Sequence, residues 1–121
     1  MIQFKRLLNS FKFAFRGFYS LVKREQNSRV HLLIAIVVIF FGIYFKIKLW
    51  QWSLVVIMIA AVFILEMLNT VFERLADILQ PRLHHYVGEI KDLMSAVVLV
   101  AALASAIIGL IIFIPYVFHL N

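Results

Sequence analysis

The residues of this chain that can do chemistry crowd into one stretch, Glu66-Met67-Leu68-Asn69-Thr70-Val71-Phe72-Glu73-Arg74-Leu75-Ala76-Asp77. It closes a long apolar run. On an α-helix turning by about 100° per residue, Glu66, Asn69, Glu73 and Asp77 fall within an arc of roughly 80°. They form one polar stripe on an otherwise apolar helix. Glu66 and Glu73 stand two turns apart, about 10 Å along the axis. Two carboxylates aligned in this way can divide the labour: one accepts a proton while the other holds a metal. Keeping an ionisable side chain at the edge of a bilayer is costly, so such a residue reads as functional by default. The plainer alternative is a polar seam buried between helices.

The elements that must hold this stripe are dictated by composition. The chain has 121 residues, 64% of them hydrophobic, and a mean hydropathy of +1.00. That composition belongs to an integral membrane protein, and the length to one domain. A chain this small buries little interior in lipid, so its polar membrane residues look for partners in another subunit. There is no cysteine, which excludes a disulfide framework, a cysteine zinc site and a thiol nucleophile. Net charge is +6, and seven of the twelve basic residues lie within residues 1–29 against the single acid Glu25. That load suits anionic lipid better than nucleic acid, and no nucleic-acid partner is expected.

Residues 1–28 read as an amphipathic helix lying on the membrane. Phe4, Leu7, Leu8, Phe11, Phe15, Phe18 and Val22 lie broadly to one side, and Lys5, Lys12, Arg16 and Lys23 to another. Its basic residues need no site beyond anionic lipid. Three apolar runs follow, 30–48, 49–72 and 93–118, each read as transmembrane; the last carries no charge at all. Trp50 and Trp52 mark one interface. Residues 74–92, with Pro81, Gly88 and several charges, read as a polar connection. Small residues from Ser95 to Gly109 supply faces for close helix packing. The basic N-terminal segment sets the orientation: it stays in the cytoplasm, as does the 74–92 connection. Glu25, Glu66, Asn69, Glu73, Asp77, His84, Lys91 and Asp92 then gather at the cytoplasmic surface.

Several carboxylates, an amide and a lysine facing the cytoplasm can bind a hard cation and a phosphate. Magnesium shares its shell with substrate phosphates, so one or two protein carboxylates suffice. A metal, a cation, a base and a means of positioning are the parts of phosphoryl transfer. No Walker loop or kinase-type glycine loop is present. Spacing alone leaves two classes open: a kinase, and a non-enzymatic membrane protein such as a small transporter subunit.

The pattern Glu66-x-x-Asn69-Thr70-x-x-Glu73-x-x-x-Asp77, followed by Gly88-x-x-Lys91-Asp92-x-x-Ser95-Ala96, resembles the signature of the prokaryotic diacylglycerol kinase family. Glu25-x-Asn27-x-Arg29-x-His31 and the ending Ile107-Ile108-Gly109-Leu110-Ile111-Ile112-Phe113-Ile114-Pro115 are similar to its Gram-positive branch, the undecaprenol kinases. The similarity runs from about Arg6 to Pro115. The resemblance implies an all-α membrane bundle, one surface helix plus three transmembrane helices, assembled as a homotrimer with active sites shared between neighbours. It implies an ATP- and magnesium-dependent kinase in the bacterial plasma membrane, with undecaprenol as the acceptor or diacylglycerol as the alternative. By motif match, Glu66 is the general base and, with Arg29, meets the lipid. Glu25 and Glu73 hold magnesium with the ATP phosphates. Asn69 orients these groups, and Lys91 contacts the transferring phosphate. Asp77 and Asp92 are supporting acids, Asp92 near the nucleotide. His84 and Arg6 match nucleotide-contacting positions, and Phe13 stands where relatives often carry a polar ring that helps to hold ATP. Phe72 is bulkier than is usual in the family.

Overall fold

A computed structural model describes residues 1–80, 82 and 84–119; the side chain of His84 lies outside the described part. Four helices follow one another, α1 Phe4–Arg24, α2 Gln26–Phe45, α3 Leu49–Leu79 and α4 His84–Val117. Three of them, α2, α3 and residues 85–117 of α4, are long and apolar enough to cross a membrane. A helix bonds its backbone groups along its own length, which is a form in which a chain can cross hydrocarbon.

The α2–α3 hairpin turns in three residues. Lys46 adopts a left-handed conformation, φ 52°, and Ile47 N–H donates to the Gly42 carbonyl at 3.2 Å. Gly42 is required here because the Trp52 ring lies against it. A Cβ at residue 42 would sit 2.6 Å from Trp52 Cη2. Trp52 is therefore half-buried inside the hairpin, and only Trp50 faces outward as an interfacial residue should. Gln51 fixes the start of α3: its Oε1 accepts from Lys48 N–H at 2.8 Å and from the Tyr116 hydroxyl at 2.5 Å. The second bond ties the end of α4 to the start of α3. At the opposite end, Lys91 of α4 meets Asp77 of α3, so α3 and α4 run antiparallel along their shared length. The apolar core, Ile47, Val55 and Ile112 with Phe45, Trp52 and Phe113 against it, lies at the hairpin end.

Elsewhere most large apolar side chains face outward, as expected where lipid is the solvent. Of the small residues on α4, Ala101, Ala102, Ala104, Ser105 and Gly109 are partly covered, while Ser95, Ala96 and Ala106 are exposed.

Two boundaries fall differently from expectation. The first helix ends at Arg24 rather than at 28, because Glu25 alone is extended, with φ −104° and ψ 116°. Ser28 and Arg29 therefore belong to α2. The stretch 74–92 is mostly helix: α3 continues to Leu79 and α4 begins at His84. With 31 residues, α3 is about 46 Å long, against a hydrocarbon core of about 30 Å. Its last turns, where the polar stripe continues, therefore extend past the apolar layer.

Candidate active site

Two pairings fix how α2 and α3 face each other, His31 with Glu66 and Gly42 with Trp52. In this antiparallel register Ser28 comes level with Asn69, and Glu25, at the junction before α2, stands near enough to act on Glu66. Glu25 at the α1–α2 junction and Ser28 and His31 on α2 recur every three positions. They look across at a stripe of similar spacing, Glu66, Asn69 and Glu73.

Glu66 is 3% exposed. The Nε2 of His31 lies 3.2 Å from its Oε1, at ion-pair distance but off hydrogen-bond alignment, which leaves that buried oxygen without a bonded partner. Thr70 Oγ1 donates to the Glu66 carbonyl at 3.1 Å, turning its hydroxyl back onto its own helix. Glu25 and Glu73 both stand close enough to act on the charge of Glu66. One turn along, Asn69 Nδ2 donates to Glu73 Oε1 at 3.4 Å, while Asn69 Oδ1 is buried and unpartnered. Lys91 Nζ sits 2.7 Å from Asp77 Oδ1 and within electrostatic reach of Glu73. The structure thus strings Glu66, Asn69, Glu73, Lys91 and Asp77 along one face, with half-buried Glu25 beside them.

Other expected site residues are placed differently. Arg29 does not point to this face. Its guanidinium donates to the carbonyls of Lys23 at 2.7 Å and Val22 at 3.2 Å, so its charge caps the C-terminus of α1. Arg6 and Phe13 are exposed on α1, Phe13 with Arg16 over its ring at 5.5 Å. Helix α1 is anchored near its end, by buried Leu21 and by the Phe18 ring against Phe63. Arg6 lies some 22 Å further along the axis from Leu21, at about 1.5 Å per residue. Asp92 is exposed, with no ion pair among the described residues. The contact expected of His84 lies outside the described residues. Among the described residues no three His, Asp or Glu side chains converge into a ready metal cage.

His31 and Ser28 join the site although the motif reading gave neither a role there. Ser28 is fully buried with an unpartnered hydroxyl. The signal for both is the three-residue spacing with Glu25. It becomes readable only once the hairpin register sets α2 against α3.

An apolar cavity of about 420 Å³ opens between α2, α3 and α4. Its walls run from His31 and Phe63 at one end to Phe113 and Val117 at the other. The imidazole that faces Glu66 is the ionisable group of this lining, the Ser105 hydroxyl being turned onto the Ala101 carbonyl of its own helix. A buried carboxylate behind the imidazole at one end of a hydrocarbon-lined groove, with a string of carboxylates, an amide and a lysine beyond it, is an arrangement that suits a hydroxyl carried on an apolar chain.

Comparison with known proteins agrees with this chemistry. The sequence profile of the family described as prokaryotic diacylglycerol kinase matches residues 12–113. The chain is 32% identical over 113 residues to the undecaprenol kinase of Bacillus subtilis (strain 168), covering 93% of this chain and 92% of that one. It is 29% identical over 110 residues to a diacylglycerol kinase of Synechocystis sp. (strain ATCC 27184 / PCC 6803 / Kazusa), covering 90% of this chain and 63% of that longer one.

Proposed function

The chain belongs to the prokaryotic diacylglycerol kinase family, and from that premise we propose that it transfers the γ-phosphate of ATP to the hydroxyl of undecaprenol, giving undecaprenyl phosphate. It is an ATP-dependent lipid kinase of the membrane. The observation that carries the proposal is the buried carboxylate of Glu66 facing His31, whose imidazole lines the apolar cavity. A long hydrocarbon chain in that groove brings its hydroxyl to Glu66, and the phosphates approach from the opposite, aqueous side.

In this reading Glu66 accepts the hydroxyl proton. Glu73, Asn69 and Glu25 hold the magnesium–nucleotide complex, Lys91 meets the transferring phosphate, and Asp77 holds Lys91. The donor set fits magnesium: Asn69 Oδ1 is a buried hard oxygen with no partner, beside the partly buried Glu73 carboxylate. When bound, the ion supplies positive charge to the β- and γ-phosphate oxygens. Asp92, Arg6, Phe13 and His84 complete the nucleotide site. The exposed α1, tethered only near its C-terminal end, supports a homotrimer in which a neighbouring subunit brings part of that site. The seven bases before Val30 support a cytoplasmic catalytic face. Residues 1–121 act as one kinase domain.

The test is purified protein with γ-radiolabelled ATP and a panel of undecaprenol and diacylglycerol. Label is expected in undecaprenol first. Label confined to diacylglycerol would overturn the substrate, and an unlabelled lipid fraction would overturn the reaction.

A further inference from the structure

We propose that His31 is a positioning residue for Glu66: its imidazole holds the carboxylate in the orientation that receives the proton of the lipid hydroxyl. The proposal rests on Glu66 being the base. Three observations carry it. The Nε2 of His31 is 3.2 Å from Glu66 Oε1. That oxygen is sealed, so an incoming hydroxyl must use the other one. Finally, His31 itself lines the apolar cavity, and its side chain is 20% exposed. One side chain thus touches both the base and the space that the substrate chain would fill.

The physical role follows from the surroundings. Glu66 feels Glu25 from the α1–α2 junction and Glu73 from its own helix, both repelling its charge. Among the described residues, α1 and α4 bring no charge to it, so His31 is the group that can answer it. A carboxylate left unpaired between helices would swing toward water, away from the groove. Catalytic hydrogen bonds of this kind tighten once the substrate is seated. During transfer the lipid O–H bond breaks and an O–H bond forms on the free oxygen of Glu66. A P–O bond to the lipid forms as the bond to the ADP oxygen breaks. The Nε2–H of His31 stays on nitrogen throughout and holds Oε1.

The experiment is a double-mutant cycle on the purified protein, with His31→Ala, His31→Gln, Glu66→Gln and the two combinations. His31→Ala should lower kcat on the order of 10- to 100-fold, the effect of a misplaced reacting group, with KM for ATP unchanged. His31→Gln keeps an N–H at similar reach and should recover much of that loss. In the Glu66→Gln background neither change should lower the residual rate further, because His31 acts only through Glu66. An equal fractional loss in both backgrounds, or wild-type kcat in His31→Ala, overturns the proposal. Should His31→Ala fail to assemble, His31→Gln carries the same comparison: a kcat deficit that is present with Glu66 intact and absent in the Glu66→Gln background supports it. Full turnover in Glu66→Gln alone would instead remove the base assignment on which the proposal stands.

Discussion

A carboxylate inside an apolar bundle is tolerable only when another group answers its charge, and at Glu66 that group arrives from a different helix. Conversion to the amide separates the two meanings of such a residue. As a base, Glu66→Gln should keep assembly and nucleotide affinity but lose roughly 10²–10⁴-fold in turnover. As a mere seam it would lose little, since a neutral amide packs well there. Affinity, assembly and turnover measured on one preparation decide between them. Glu73→Gln and Glu25→Gln should each raise the magnesium concentration needed for half-maximal rate, because each removes a hard anionic ligand. Unchanged magnesium titrations would take them out of the metal site. The stripe itself is legible because its four members share one helix, and helical spacing is written directly in sequence. His31 is not, because its partner lies 35 positions away and only the hairpin register brings them together. The partner of Arg29 is hidden from the sequence for a related reason: it is the open C-terminus of α1, and that terminus exists only because the chain bends at Glu25.

At the level of elements, the hairpin gives the sharpest expectation. Gly42→Ala should gain about 0.5–1 kcal/mol from helix propensity and lose about 1–3 kcal/mol by driving a methyl group into the Trp52 ring. The net effect should be a lower midpoint of thermal unfolding in detergent, restored when Trp52→Phe is added. A raised midpoint in Gly42→Ala would mean that the two helices do not close this tightly. The apolar runs are readable from hydropathy alone. Their ends are not, because neither glycine nor proline marks the break at Glu25. The last turns of α3 carry polar residues that look like a loop until their spacing is followed into Leu79.

For the whole molecule, a single chain leaves Arg6 and Phe13 out on an arm attached near Leu21, far from the groups they are expected to serve. A neighbouring subunit that completes the site predicts complementation. Inactive Glu66→Gln mixed with inactive Glu25→Gln should regain part of the activity, and verified mixed assemblies with none would place the whole site within one chain. Sidedness is checked with single cysteines at Gln80 and Leu49, both exposed in a chain with no native cysteine. Only the second should react with an impermeant reagent added outside intact cells. The crowding of acids around Glu66 has one more consequence, for how a turnover ends. A neutral alcohol enters beside Glu25, Glu66 and Glu73 without penalty, yet it leaves as a phosphate ester of the same sign as Glu25 and Glu73, and as Glu66 once that residue has released its proton. Repulsion from the residues that prepared the reaction expels the product toward the headgroups, so product inhibition should be weak in the native enzyme. Glu66→Gln should retain its phosphorylated lipid more tightly, as direct binding of that product would register.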